Sequence, residues 1–178
     1  GGGAICDHLI HWMNLMEWYF GRPEEVSAKH WRLGLKEIAT EDTAFVTLHF
    51  PGDVMAHLHV SWLDPHKIRK VTVVVDKKMA VLDDMQATEK LRIYDKGVDF
   101  TPSYGDYGES LSIRIGDIYI PKIDMSEPLK TECRHFLECI EKGERPLTDG
   151  KTGLEVLRVL EAAEQSLAEG SRAIEIGG

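Results

Sequence analysis

The chain reads as an α+β fold in which helices pack on one face of an open, mostly antiparallel or mixed sheet. Three observations predict this. The first twenty residues carry a helical period, and short β-branched or alternating segments joined by tight turns fill the middle. Two further helical periods and a short strand then close the chain. With 178 residues, 43% of them hydrophobic, a single domain over 1–178 has enough chain to build a core.

The opening stretch, GGGAICDHLIHWMN, predicts a helix from about Ile5 to Phe20, stopped by Gly21 with Pro23 beyond it. Ile5, Leu9, Trp12, Met13, Met16 and Phe20 form its apolar face. Asp7, His11, Asn14 and Trp18, spaced i, i+4, i+7 and i+11, form a stripe on the other side. An ordinary surface helix places Lys and Glu there. A carboxylate, an imidazole, an amide and an indole instead suggest the wall of a site or a surface packed under another domain. The leading glycines fit two readings: amides left open to close approach, or a flexible linker.

Thr43–Phe50 and Val54–Trp62, around Pro51-Gly52-Asp53, predict an antiparallel hairpin. In its second strand Val54, Ala56, Leu58, Val60 and Trp62 share one face, and Met55, His57, His59 and Ser61 the other. Further strands are expected over Lys70–Val75, Met79–Leu82, Leu91–Tyr94 and Leu111–Ile120, with a Gly/Tyr/Pro-rich loop from Phe100 to Gly108. Ser126 is the expected cap of a helix with Leu129, Cys133, Phe136, Leu137 and Ile140 on one stripe, ended by Gly143. Thr148 or Asp149 is expected to cap the next, with Leu157, Leu160, Ala163 and Leu167 as its buried seam. Arg172–Ile176 forms the last strand. Helices on one face leave the other face of the sheet open. Val71, Val73 and Val75 against Val74 put apolar groups on both faces, so a homodimer or homotetramer through the open face is expected.

A net charge of −9 and a pI near 5.4, with no basic run, argue against a nucleic-acid partner. No apolar run reaches the ~20 residues of a membrane span, and no basic-then-apolar signal pattern is read in these residues. Three cysteines without metal-type spacing suit a reducing, cytoplasmic setting.

Asp7 and His11 are the strongest candidates for chemistry. A carboxylate one helical turn before an imidazole can orient it and favour its charged form, which suits proton transfer near neutral pH. The plain alternative is a surface pair, or an acid placed against the helix dipole. His8 lies off the stripe, about 100° around from Asp7. Trp18 suits stacking on a sugar or packing between domains. His57 and His59 share a strand face and resemble half of a metal site without further ligands, so no metal is expected. His135 and Cys139 read as a buried helix edge. Neither a G-x-G-x-x-G nor a G-x-S-x-G element occurs.

At these residues the sequence resembles the glucose–fructose oxidoreductase/inositol 2-dehydrogenase/MocA family. GGGAICDHLIHWMN is similar to the segment that enters the family's second domain, typically glycines followed by D-x-G-[VI]-H-x-x-D. EDTAFVTLHFPGDVMAHLHVSWLDP resembles its central hairpin, and FLECIEKGERPLTDGKTGLEVLRVLEAAEQSL its closing helices. The tail is most similar to the nucleotide-sugar dehydrogenases of the family. The resemblance implies a glyceraldehyde-3-phosphate-dehydrogenase-like C-terminal domain that binds substrate and oligomerises. A preceding Rossmann domain, absent here, would bind NAD or NADP, and this chain alone would be inactive. His11 then matches the motif histidine, assigned to proton transfer or substrate hydroxyl binding, and Asp7 the motif aspartate, which bonds substrate. Leu9 stands where the motif has glycine, and Asn14 where it has the last aspartate; an amide cannot act as a base.

Three readings follow. The first is the substrate domain of an NAD(P)-dependent oxidoreductase acting on the CH–OH of a sugar, nucleotide sugar or cyclitol, with Asp7, His11 and Asn14 contacting substrate. The second is a non-catalytic carbohydrate-binding or oligomerisation module. The third is a small metal hydrolase built on Asp7, His11, His57 and His59.

Overall fold

The structure, a computed structural model, describes residues 3–34, 40–101, 110–124 and 126–177. It divides into two compact units, one of Gly1–Asp64 with Glu132–Gly178, the other of Pro65–Thr131. The expected single sheet is therefore two four-stranded sheets, and every strand pairing among the described residues is antiparallel.

In the first unit a π-helical turn, Ile5–Leu9, runs into helix α1, Ile10–Phe20. Gly21 ends it with φ at 78°, a conformation that an L side chain resists, and donates its N–H to the Glu17 carbonyl at 2.8 Å. Strands β1 (Glu25–Trp31), β2 (Thr43–Phe50) and β3 (Val54–Ser61) follow. The β2–β3 hairpin forms as the sequence predicts, Thr43 opposite Ser61 and Phe50 opposite Val54. β1 was not expected. Its inward residues are Val26 and Ala28, too short a run to separate from a loop by alternation alone.

The second unit is a meander of β4 (Lys70–Val74), β5 (Met79–Asp83), β6 (Leu91–Thr101) and β7 (Ser110–Tyr119). β6 continues well past the expected Tyr94. Most of the expected Phe100–Gly108 loop lies outside the described residues. Val81 is the buried hydrophobic residue of this sheet among the described ones, whereas Val74, Ile113, Ile118 and Ile115, the last 81% exposed, stand in solvent.

Helices α2 (Pro128–Lys142) and α3 (Gly150–Ala168) come next, and β8 (Ile174–Glu175) closes the first sheet in the order β3-β2-β1-β8. α2 opens on Pro128, where a missing N–H costs nothing. The Ser126 hydroxyl instead accepts from Thr131 Oγ1 at 3.4 Å. Asp149 caps α3, accepting from the amides of Lys151 and Thr152 at 3.0 Å each. The Arg145 guanidinium, and then the Thr152 amide, hold its carboxyl far below the usual carboxylate range.

The core of the first unit lies between its sheet and the helices α1 and α3. Ala4, Ile5, Leu9, Met13 and Met16 meet Val26, Ala28, Ala44, Val46, Leu48, Leu58 and Val60. The buried face of α3 is Val156, Val159, Leu160, Ala162, Ala163 and Ser166. The expected seam is thus rotated, and Leu157 is exposed. The α2 stripe holds together as a stripe but faces outward, with Phe136 58% exposed and Leu129, Leu137 and Ile140 beside it.

Ser166 ties α3 to the sheet. Its fully buried Oγ accepts from the Ala28 amide at 3.0 Å and donates to the Arg172 carbonyl at 2.5 Å. Ser166→Ala leaves both groups without a partner and should cost about 1–3 kcal/mol. A denaturant midpoint checks this; an unchanged midpoint would show that the tie contributes nothing.

Candidate active site

The candidate site is built on the first helix. Glu41, just before β2, supplies what a helix entering a core lacks, partners for its leading amides. Its carbonyl accepts from Ala4 N at 3.1 Å and its Oε1 from Ile5 N at 3.0 Å. Gly3 is buried against that carboxylate, and a Cβ there would overlap it. The close-approach reading of the glycines therefore describes Gly3; Gly1 and Gly2 lie outside the described residues.

The π turn widens the helix at the point where the stripe begins, and it exposes Cys6, Asp7 and His8 in succession while Ile5 and Leu9 point into the core. His11 is exposed, Asn14 is half-buried, and Trp18 is 71% exposed. The stripe is open along its length. Leu9 is 0% exposed and belongs to the core beneath the stripe.

The spacing pairs Asp7 with His11, but the structure joins Asp7 to its neighbour. Asp7 Oδ2 lies 3.0 Å from His8 Nδ1. Among the described residues no hydrogen bond or ion pair links Asp7 to His11. A turn wider than 3.6 residues per turn carries i and i+4 off one line, which is why the α-helical period misplaced the carboxylate's partner. The same His8 Nδ1 lies 3.3 Å from Trp62 Nε1, at the end of β3. His8, Trp62 and Glu41 had no signal in the local pattern beyond the glycine that makes room for Glu41. Partial desolvation of its sulfur, though the residue is exposed, and then the carboxylates of Glu164 and Glu41, push the Cys6 thiol up, so Cys6 is held in its weakly nucleophilic form.

On β3 the imidazoles of His57 and His59 lie against Phe45, with centroids at 5.9 and 4.4 Å, and His57 Nδ1 is 3.1 Å from Thr47 Oγ1. Among the described residues no three His, Cys, Asp or Glu side chains converge as metal ligands. His135 accepts from the Leu147 amide at 3.1 Å, and the buried Cys139 sulfur lies 3.6 Å from its Nε2. Among the described residues no helix is long and apolar enough to cross a membrane.

Residues 1–81, a little under half of the chain, match the family model described as the GFO/IDH/MocA C-terminal domain. Over the whole chain the likeness is one of fold to solved oxidoreductases. The WlbA dehydrogenase from Bordetella pertussis, in complex with NADH and UDP-GlcNAcA, is 22% identical with a TM-score of 0.69 over 99% of this chain and 46% of that one. Aldose-aldose oxidoreductase from Caulobacter crescentus, complexed with glycerol, is 21% identical with a TM-score of 0.71 over 98% of this chain and 48% of that one. UDP-N-acetylglucosamine 3-dehydrogenase from Acidithiobacillus ferrooxidans is 22% identical with a TM-score of 0.66 over 91% of this chain and 48% of that one. The chain spans about half the length of these structures. No curated protein matches it.

Glu17, on the same helix, sets a pH limit on the support of the site. Burial first, then the facing Glu155 on α3, raise its carboxyl to about 7, and Arg22 opposes them. Its Oε1 is buried without a hydrogen-bond partner. A carboxyl raised in the folded state contributes stability that is full below its unfolded pKa of 4.5 and is lost as pH rises through about 7. The melting temperature should therefore fall between pH 5 and pH 8, by roughly 2–4 °C for a chain of this size. Glu17→Gln should flatten that slope and raise the melting temperature at pH 8. Equal slopes in the two proteins would remove Glu17 from the account.

Proposed function

We propose that this chain is the substrate-binding and oligomerisation domain of an NAD(P)-dependent oxidoreductase acting on the CH–OH of a sugar, nucleotide sugar or cyclitol. The observation that carries this is the open polar stripe of Asp7, His11 and Asn14 on a helix whose other side is fixed in the core. The match of residues 1–81 supports the class, and the sugar-nucleotide and glycerol complexes of the fold relatives support the substrate chemistry.

The described residues do not fit a dinucleotide. Gly21, Gly52, Gly143 and Gly170, the glycines with positive φ, close helices or turn a hairpin. None stands between a strand and a helix N-terminus, where a pyrophosphate is cradled. On this reading NAD or NADP is held mainly by residues other than the described ones, and the described residues serve the substrate and the assembly. His11, exposed and free to meet a ligand, takes the hydroxyl proton or holds the hydroxyl oxygen. Asp7 accepts a hydrogen bond from a neighbouring hydroxyl, and Asn14 both donates and accepts. Rigid placement on one helix supplies orientation. Trp18 and the outward apolar stripe of α2 are the surfaces a covering domain would use.

In the full-length enzyme His11→Ala should lower kcat by roughly 10²–10⁴ with little change in melting, because the side chain is exposed. Asp7→Asn should fall between it and wild type. Steady-state rates and melting curves decide: His11→Ala that unfolds the domain yet turns over normally in the folded fraction makes the histidine structural.

The second unit supports the oligomerisation half of the proposal. Val73 and Val75 on one face of its sheet, and Val74, Ile113 and Ile115 on the other, are exposed. Sedimentation should give at least twice 20.1 kDa at micromolar concentration, and a clean monomer would overturn it.

A further inference from the structure

We propose that His8 is a positioning residue for Asp7: its Nδ1 exchanges between the Asp7 carboxylate, to which it donates, and the Trp62 indole, from which it accepts. The proposal rests on the assignment of Asp7 to substrate in the preceding section, and adds a residue that controls when Asp7 is available.

The geometry forces a choice. His8 Nδ1 is 3.0 Å from Asp7 Oδ2 and 3.3 Å from Trp62 Nε1. An ionised carboxylate only accepts and an indole N–H only donates. One ring nitrogen serves the first with a proton on it and the second with its lone pair, never both. Imidazolium carries a proton on both nitrogens, so it must hold Asp7 and turn from the indole. The neutral ring with its proton on Nε2 accepts the indole and releases Asp7.

The two partners differ in mobility. Trp62 is half-buried, and its backbone N–H is fixed to the Asp42 carbonyl at 2.8 Å. Asp7 is solvent-facing on the π turn. The indole is the fixed post, and the carboxylate is the group set free.

The other ionisable groups around the turn do not take its place. Cys6 lies on the turn itself and His11 one turn on, with Glu41 bound to the Ile5 amide. Glu164 of α3 acts on Cys6. The Asp42 carboxylate, beside the Trp62 anchor, accepts from the amides of Leu33 and Gly34 at 2.9 and 2.8 Å. His8 has Asp7 and Trp62 as its partners among the described residues.

Two-dimensional proton–nitrogen NMR of this chain tests the exchange. Four indole N–H signals are available, from Trp12, Trp18, Trp31 and Trp62, and Trp62→Phe assigns the fourth. The Trp62 signal should move with pH along one titration whose midpoint coincides with that of the His8 ring. In His8→Phe the signal should persist and become flat. Asp7→Asn, an exposed substitution that answers even if His8→Phe does not fold, should change how the Trp62 signal responds to pH, because the carboxylate that draws the ring nitrogen from the indole is gone. A Trp62 signal that stays flat while His8 titrates, or one whose pH response is the same in Asp7→Asn as in wild type, overturns the exchange. In the full-length enzyme, the kcat/KM profile of His8→Gln should lose one ionisation present in wild type; an unaltered profile overturns the link to Asp7. The NMR measurement is independent of turnover, so loss of the His11 assignment and loss of the exchange are read separately.

Discussion

A helix that begins inside a core must have its first amides satisfied by groups from elsewhere in the chain, and here that duty falls on one dipeptide, Glu41-Asp42. Glu41 takes the amides of Ala4 and Ile5 through its carbonyl and carboxylate. Asp42, 1% exposed, uses its carboxylate on Leu33 and Gly34 and its backbone on Trp31 and Trp62. The start of the first helix, the end of β1 and the end of β3 are therefore joined at two consecutive residues. Unpaired, such buried groups would each cost on the order of 1–3 kcal/mol, so the arrangement has few alternatives.

The location of the site follows from that junction. Glu41 holds the helix start where the chain widens into a π turn, and the turn brings Asp7 and His8 to the surface together. Asp42 fixes Trp62, and Trp62 reaches His8. The polar stripe is thus supported from both sides: the apolar face of α1 anchors it below, and the β3 end anchors the His8 side. Nothing in this requires the stripe to be rigid at its tips. Asp7 and His11 keep the side-chain freedom a ligand would have to remove, on a helix whose apolar face is packed in the core.

How much of this was legible depends on the range of the interaction. The β2–β3 hairpin was legible because Pro51-Gly52-Asp53 and the alternation on either side are local, and the stop at Gly21 and the Asp149 cap are local too. The division into two sheets was not, since strand partners are chosen across the whole chain and each strand reads alike in either sheet. β1 was hidden because Val26 and Ala28 are a short, mild inward pair whose strand character comes from pairing with β2 and β8. The α2 stripe was legible as a stripe, but periodicity says only that a face is apolar, not what it meets.

The candidate site divides in the same way. Residue types at α-helical spacing singled out Asp7, His11 and Asn14 as an unusual outer face, and they do lie toward solvent on one helix. The partner of Asp7 escaped because it depends on helical pitch, and the π turn opens on an amide bound by a carboxylate 36 residues away in the chain. Gly3 was the one visible trace of that distant contact: a residue without a side chain, placed where another side chain had to sit. In this chain the π winding turns a predicted Asp–His pair one turn apart into a pair of neighbours, and brings an indole from the sheet to the same ring nitrogen.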